Sequence, residues 1–227
     1  MKKYAVIVAG GSGTRLGSKL PKQFLDLNGY PLLWWSLKAF HNEDTSTEII
    51  LVLPEKFIDE WKKIVRLLAN EDNIPHKIIS GGSSRTESVK RGLSLIDQPD
   101  SIVAVHDAAR PIITAEMISA GWEAAMKDGA AIPVVPVTDS LRRVVSEGSM
   151  AVDRSEYVAV QTPQVFKSDI LIKAYRDNPE EVFSDDASAV EKTGVKISLY
   201  PGRHENIKVT NPGDMEIASH FLKEMND

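Results

Sequence analysis

Three basic residues, Arg15, Lys19 and Lys22, lie in one glycine-rich stretch near the start of the chain, residues 9–24, which reads AGGSGTRLGSKLPKQF. The stretch follows the apolar run of residues 4–8, which is typical of a buried strand. Glycines let backbone N–H groups approach a phosphate closely, while guanidinium and ammonium groups supply the countercharge. The pattern therefore predicts an anion-binding loop at the end of the first strand.

Two common phosphate motifs do not fit this stretch. A Walker A loop ends in Gly-Lys-Ser/Thr, whereas residues 17–19 read Gly-Ser-Lys. A dinucleotide fingerprint needs a glycine where Leu16 stands, and the second strand ends in Pro54 without an acidic residue for the ribose. Residues 10–16, followed by Pro-Lys at 21–22, instead resemble the signature of nucleotidyltransferases, which join a nucleoside triphosphate to a phosphorylated small molecule.

Composition narrows the class of protein. The 227 residues carry 27 basic and 32 acidic side chains, interspersed rather than gathered in a block, and the net charge of −5 gives no support for nucleic-acid binding. The absence of cysteine excludes disulfides and thiolate metal sites and suits a cytoplasmic location. No apolar run approaches the ~20 residues that span a bilayer, and the short first run is better explained by a strand than by a signal peptide. We expect a soluble, cytoplasmic protein with one domain, residues 1–227.

Alternating apolar strands and amphipathic helices predict the α/β fold class. We expect a single Rossmann-like domain with a mostly parallel central sheet and helices on both faces. The predicted strands are 4–8, 48–53, 76–80, 102–106, 130–137, 161–166, 196–200 and 206–209. The predicted helices are 31–42, 55–70, one after Arg85, 114–129, and others starting near 168, 184 and 212.

Residues 138–160 break this alternation. Short runs with alternating residue character, 140–145 and 150–160, flank a Glu-Gly-Ser turn at 147–149. We interpret the region as a protruding β-hairpin arm. A long hairpin is marginally stable alone and leaves edges unpaired, so we expect the arm to pack against a second copy of the chain in a homodimer.

The special loops all follow strands. Val8, Ser80 and His106 precede the first glycine loop, a second one at 81–85, and the sequence Asp-Ala-Ala-Arg-Pro at 107–111. In parallel sheets ligands bind outside the carboxyl ends of the strands. Asp107 could bind Mg²⁺ or substrate hydroxyls, or could only cap a turn or a helix.

Five further sites have ordinary explanations as well as functional ones. His106 is better explained as a structural residue than as a ligand. Arg154 and Lys208 could be surface charges. Residues 161–164, Gln-Thr-Pro-Gln, could be a plain loop, and residues 184–186, Ser-Asp-Asp, could be a helix cap.

Taken together, these segments resemble the 2-C-methyl-D-erythritol 4-phosphate cytidylyltransferase family, the CTP-using enzymes of the non-mevalonate isoprenoid route. The resemblance covers essentially the whole chain. The matching pieces are AGGSGTRLG with PKQF, GGSSRTESV, HDAARP, VDR with QTPQ, SDDASAVE and GRHENIKVT. Their shared order and spacing make the set specific.

The resemblance implies a role for each matched residue. Arg15 and Lys22 would hold the triphosphate, and with Arg154 and Lys208 they would be the catalytic residues. The CTP-binding residues would be Ala9, Gly10, Gly11, Gly13, Arg15, Lys22, Gly81, Gly82, Ser88 and Ala108. The residues facing methylerythritol phosphate would be Asp107, Arg110, Ser140, Arg154, Thr162, Ser184 and Lys208, with Mg²⁺ as cofactor and Asp107 as its candidate ligand.

In this family the arm crosses to the partner subunit, so Ser140 and Arg154 would complete the other protomer's site. Relatives often have threonine at the positions of Ser140 and Ser184, and alanine at that of Gly10. The first two differences keep a hydroxyl, so they change the implied roles little.

Three other functions compete with this interpretation. The nearest is the transfer of the cytidylyl group to ribitol 5-phosphate, since that enzyme shares the CTP loop and the motifs at 107–111 and 161–164. The pieces at 152–154 and 202–206 look more like the methylerythritol enzyme. A sugar 1-phosphate or cofactor nucleotidyltransferase using another base is more distant. A non-catalytic nucleotide-binding protein is disfavoured by the combined presence of the basic residues.

Overall fold

A computed structural model describes residues 1–10, 21–68 and 74–226 of the chain. The strands are β1 (Lys2–Val8), β2 (Asp26–Leu27), β3 (Tyr30–Pro31), β4 (Glu48–Leu53), β5 (Lys77–Ser80), β6 (Ser101–Asp107), β7 (Ala130–Pro136), β8 (Arg142–Val145), β9 (Gly148–Ala151), β10 (Val158–Val160), β11 (Gln164–Lys167) and β12 (Ser198–Pro201). The helices are α1 (Leu32–Glu43), α2 (Ile58–Leu68), α3 (Arg85–Leu93), α4 (Ala115–Asp128), α5 (Ser168–Asp177), α6 (Asp186–Glu191) and α7 (Pro212–Asn226). Short 3₁₀ helices lie at Lys22–Phe24, Glu55–Phe57 and Arg154–Glu156.

A mixed, mostly parallel sheet is the centre of the fold. Its strands run in the order β10-β7-β11-β6-β1-β4-β5, and β12 also pairs with β7. β1 pairs in parallel with both β4 and β6, so Val8 lies beside Val52 and Asp107. This register brings the loops after β1 and β6 to one edge, as the strand order in the sequence predicts. The predicted α/β class with a mostly parallel sheet is confirmed.

Helices cover both faces of the sheet, which explains the continuous apolar character of the central strands. Along β1, Ala5 and Ile7 belong to a core cluster that includes residues of α1 and α4. Tyr4, Val6 and Val8 point the other way, into a cluster built with α3, α5 and α6. Alternate side chains of a single strand therefore serve two separate cores.

The capping signals at α4 are confirmed. The Thr114 hydroxyl accepts a hydrogen bond from the Met117 N–H, and Gly129 ends the helix with φ +90°. α6 differs slightly from expectation, because its N-cap is Asp185 rather than Ser184. Serine, threonine and aspartate are all favourable N-caps, so the sequence alone does not separate these neighbours.

Two strand predictions are wrong. The second arm strand was expected to run through 150–160, but Val158–Val160 pairs with β7 in the main sheet, and the separate hairpin consists of β8 and β9 only. Residues 206–209 are not a strand. Val209 N–H donates to the Ala109 carbonyl at 2.8 Å, which attaches this segment to the loop after β6 instead of to a strand.

Two strands of the main sheet are antiparallel to their neighbours. β11 is antiparallel to β6 and β7, and β10 is antiparallel to β7.

Within the described residues, no helix is both long enough and apolar enough to span a membrane.

Helix α3 packs so closely on the sheet that Gly92 has no room for a methyl group. An added Cβ would lie 2.5 Å from Val6 Cγ1 and 3.1 Å from Val52 Cγ2. We expect Gly92→Ala to lower the free energy of unfolding by about 1–3 kcal/mol, because the clash exceeds the gain in helix propensity of about 1 kcal/mol. Urea unfolding measures this change.

Gly213→Ala in α7 is the matched control, since an added Cβ there meets nothing within 4 Å. Its unfolding free energy should stay level or rise by up to about 1 kcal/mol. Equal stability of the two variants would show that α3 can move away from the sheet at no cost.

Candidate active site

A cavity of about 250 Å³ opens at the carboxyl ends of β1 and β6. It is bounded by the end of β1, the second glycine loop, the loop after β6, and two lysines that come from distant parts of the sequence. The lining residues are Val8, Ala9, Gly10, Lys22, Gln23, Gly82, Ser83, Ser84, Arg85, Asp107, Ala108, Ala109 and Lys208. Many of the residues assigned to CTP and the acceptor thus meet in one place.

The end of β1 is fixed by its neighbours. Ala9 N–H donates to the Val52 carbonyl at 2.9 Å, and the Ala9 carbonyl accepts from Gln23 Nε2 at 2.8 Å. Gly10 is exposed, and a Cβ there would lie 3.4 Å from Ser88 Oγ, an ordinary contact. An alanine would therefore fit at this position. Gly11, Gly13 and Arg15 lie outside the described residues.

Lys22 reaches across to the segment that carries Lys208. Its Nζ donates to the Val209 carbonyl at 2.6 Å. The contact joins residues 187 positions apart, and both Lys22 and Lys208 line the cavity. The sequence identified both lysines but gave no sign that their segments are in contact.

The second glycine loop is organised by Ser88. This hydroxyl accepts from Gly82 N–H at 3.1 Å and donates to the Ser84 carbonyl at 2.8 Å, and the residue is almost completely buried. A Cβ on Gly81 would come within 2.9 Å of Ser88 Oγ. Ser88 is therefore placed to shape the loop, and Gly82 lines the cavity whereas Gly81 and Ser88 do not.

Asp107 lies between two cations. Its Oδ1 is 3.2 Å from Arg85 Nε, and its Oδ2 is 2.7 Å from Lys208 Nζ. Burial disfavours the charged form of the carboxylate, but the positive charges of Arg85, Lys208 and Arg110 outweigh burial and hold its pKa well below the usual range. Asp107 is ionised and fixed in orientation at neutral pH.

His106 has a structural role, as the sequence indicated. It is fully buried, with Nε2 3.0 Å from the Arg110 carbonyl and Nδ1 3.0 Å from Thr162 Oγ1. Because a carbonyl only accepts, the proton lies on Nε2, and Nδ1 accepts from the Thr162 hydroxyl. That hydroxyl in turn accepts from Asp107 N–H at 3.1 Å. Thr162 thus connects the loop after β6 to the loop before β11.

Arg110 lies behind the cavity wall. Its Nη1 donates to the Asn206 carbonyl at 2.7 Å, and burial lowers the pKa of its guanidinium although Asp107 acts in the opposite direction. Asn206 is itself buried and donates to the Thr162 carbonyl at 2.9 Å. Arg110 therefore positions the segment that carries Lys208.

Besides Gly81, Ser88, Arg110 and Thr162, three further assigned residues do not line this cavity. Ser140 is exposed next to the hairpin, Arg154 is exposed and donates to the Thr138 carbonyl, and Ser184 is exposed with its hydroxyl 3.1 Å from that of Ser188. That Ser140 and Arg154 serve a second protomer stays a prediction. Ser184 lies just before the buried Asp186.

Arg85 and Asp186 were not predicted as site residues. Arg85 Nη2 is 2.7 Å from Asp186 Oδ2, and Asp186 is fully buried. Tyr175 donates its hydroxyl to Asp186 Oδ1 at 2.6 Å. One signal was available, since a cation in the first turn of a helix opposes the helix dipole and calls for a nearby carboxylate.

Metal ligands are sparse in the described part of the chain, where no group of three or more histidine, aspartate or glutamate side chains could hold an ion. Asp107 offers a single carboxylate. Mg²⁺ is usually bound by one or two carboxylates together with substrate phosphates and water. The donor set therefore suits an ion that arrives with a nucleotide rather than one held by the protein alone.

Comparisons with known proteins point to one family. The family model described as 2-C-methyl-D-erythritol 4-phosphate cytidylyltransferase matches residues 4–224. Enzymes of that name from Bacteroides thetaiotaomicron and Porphyromonas gingivalis are 45% and 44% identical to this chain, covering 98% and 97% of it and 100% and 98% of their own lengths.

Solved structures give the same result. The crystal structure of the Thermus thermophilus enzyme of that name is 31% identical, covers 98% of this chain and 100% of its own, and has a TM-score of 0.77. A structure titled 4-diphosphocytidyl-2C-methyl-D-erythritol synthase from Anaerococcus prevotii is 25% identical, covers 98% of both chains and has a TM-score of 0.83.

Burial of neutral His106 predicts a pH-dependent stability. Burial lowers its pKa from 6.5 to about 4, so the unfolded chain binds the extra proton between these values. The stabilising contribution is complete above pH 6.5 and disappears as the pH falls to about 4, a difference of about 3 kcal/mol. His106→Gln should flatten the stability profile over this window by about that amount.

Urea unfolding at several pH values measures the difference between the wild type and the variant. His204→Gln, at an exposed position, is the control and should keep the wild-type slope. A wild-type slope in His106→Gln would mean that His106 is not buried in its neutral form.

Proposed function

The chain belongs to the 2-C-methyl-D-erythritol 4-phosphate cytidylyltransferase family, and from that premise we propose how its residues perform the reaction. The enzyme transfers the cytidylyl group from CTP to 2-C-methyl-D-erythritol 4-phosphate, giving 4-diphosphocytidyl-2-C-methyl-D-erythritol and pyrophosphate. Ribitol 5-phosphate is not favoured as the acceptor, because the matching family and relatives are named for the methylerythritol substrate. The observation that carries our proposal is the meeting of Lys22, Asp107 and Lys208 around one cavity.

The main obstacle to the reaction is charge. The acceptor phosphate has a second pKa near 6, so it is mostly a dianion at pH 7 and needs no general base. This dianion must approach the α-phosphate of CTP, and each like-charge pair at ~4 Å costs on the order of 4 kcal/mol at an effective dielectric constant of ~20. A site for this reaction must therefore concentrate cations, and Lys22 and Lys208 both line this cavity.

We assign Arg15 and Lys22 to the α-phosphate and the departing pyrophosphate, where charge develops during the transfer. Lys208 and the partner subunit's Arg154 would hold the attacking phosphate in line. Asp107 would accept from the acceptor's hydroxyls. Thr162 and Arg110 make hydrogen bonds within the protein, which supports positioning roles for them rather than direct contacts with a substrate.

The cytidine would lie against the smallest residues of the cavity. Ala9, Gly10, Gly82 and Ala108 line it, and the first two belong to the loop that continues toward the triphosphate-binding residues. Ser88 and Gly81 support this wall from behind. Mg²⁺ remains the proposed cofactor, with Asp107 as the residue that would hold it, and its chemistry is to neutralise triphosphate charge.

The proposed homodimer is supported by apolar side chains on and beside the hairpin. Val144 and Met150 on β8 and β9 are 83% and 52% exposed. Tyr157, Val158 and Val160 on the returning segment are each at least 40% exposed. Contiguous exposed apolar residues mark interaction surfaces. We also retain the predicted cytoplasmic location, which the cysteine-free composition suits.

Pyrophosphate release tests the function. Wild-type protein should release pyrophosphate with CTP and methylerythritol 4-phosphate, much more slowly with ribitol 5-phosphate, and hardly with ATP, GTP or UTP. Lys22→Ala should lower kcat by about 10²–10³-fold, because it removes a group that stabilises transition-state charge. Lys62→Ala on the exposed side of α2 is the matched control, and near-normal turnover by Lys22→Ala would overturn the assignment.

Subunit mixing tests the crossed arm. If Arg154 acts in the partner's site, inactive Arg154→Ala and inactive Lys22→Ala proteins should regain activity when their subunits exchange, since one site of each heterodimer is then intact. Recovery near a quarter of wild-type activity is expected for random exchange. Mass spectrometry under native conditions verifies that heterodimers form, and their complete inactivity would exclude an arm that acts in trans.

A further inference from the structure

Several matched motifs meet at Arg85, which neither the family resemblance nor the proposed function assigns to a task. Arg85 comes from GGSSRTESV, Asp107 from HDAARP, Gln164 from QTPQ, Asp186 from SDDASAVE and Lys208 from GRHENIKVT. Hydrogen bonds and ion pairs connect these five residues into one network.

One end of the network is rigid. Asp186 is fully buried, and its carboxylate binds Arg85 through Oδ2 and the Tyr175 hydroxyl through Oδ1. Its backbone N–H and that of Ala187 both donate to Gln164 Oε1, at 2.9 and 3.0 Å. Asp186 therefore fixes the Arg85 guanidinium from the interior of the protein.

The other end of the network is open to the cavity. The side chain of Lys208 is 43% exposed, whereas those of Arg85 and Asp107 are 24% and 12% exposed. Asp107 has one negative charge, which faces Arg85 and Lys208 directly, with Arg110 adding a third positive charge nearby. The neighbouring His106 is buried and neutral, so it adds no further charge to this group of side chains.

Lys208 cannot give its full charge to an acceptor phosphate while Asp107 holds it closely. We propose that Arg85 is a positioning residue that shares the charge of Asp107, so that Lys208 can exchange this carboxylate for the phosphate of the acceptor. This inference rests on the proposed function of Lys208. It assigns Arg85 a task in acceptor binding that does not require contact with either substrate.

The substitution Arg85→Lys tests whether the guanidinium affects acceptor binding. Arg85→Lys keeps one positive charge, but an ammonium is a point charge and lacks the planar fork that binds two carboxylates at once. The new lysine should stay with the buried Asp186, and Asp107 should then bind Lys208 more strongly. We expect the KM for the acceptor to rise about tenfold, which corresponds to about 1.4 kcal/mol, while the KM for CTP changes less than about twofold.

A double-mutant cycle separates this role from a merely structural one. In the Asp107→Asn background Lys208 is no longer held by a carboxylate, so Arg85→Lys should change the acceptor KM by less than about twofold. Equal effects in both backgrounds, or equal increases in both KM values, would overturn the proposal. Arg66→Lys on the exposed face of α2 is the matched control.

A second measurement does not depend on turnover. The rate at which an amine-reactive reagent labels Lys208, followed by mass spectrometry in the free protein, should fall severalfold in Arg85→Lys. An unchanged or faster rate would contradict charge sharing. A wild-type protein without pyrophosphate release would instead refute the proposed function, while the labelling result would still decide the role of Arg85.

Discussion

The balance of charge around Asp107 is the constraint on which the rest of the site depends. A carboxylate with little exposure stays ionised only if cations compensate for the lost hydration. Arg85, Lys208 and Arg110 do so from three different segments of the chain. These segments therefore stabilise one another, which makes the carboxyl edge of the sheet a cooperative unit rather than a set of independent loops.

The fold was largely predictable because its signals are local. Apolar runs identified β1, β4 and β6, and the Thr114 and Gly129 signals bounded α4. The failures were of another kind. Residues 158–160, Val-Ala-Val, suit a strand that extends a hairpin as well as one that pairs with β7, and only the tertiary structure decides.

The site was predictable to the extent that its residues belong to recognisable motifs. Lys22, Asp107 and Lys208 were identified in this way, and they line one cavity. Arg85 was not, because its partners lie 22 and 101 positions away, and its place in the first turn of α3 calls for a carboxylate without indicating which one. Ion pairs between distant segments are set by the packing of the elements that carry them, so they become visible only in three dimensions.

The contact between Lys22 and the Val209 carbonyl has a further consequence for the two substrates. The lysine assigned to the triphosphate is attached to the residue next to Lys208, which is assigned to the acceptor. The Val209 N–H is attached in turn to Ala109 in the loop after β6. If one ligand displaces this short segment, the site of the other ligand therefore changes as well. Thermodynamic reciprocity then requires that any resulting change in affinity be equal in both directions.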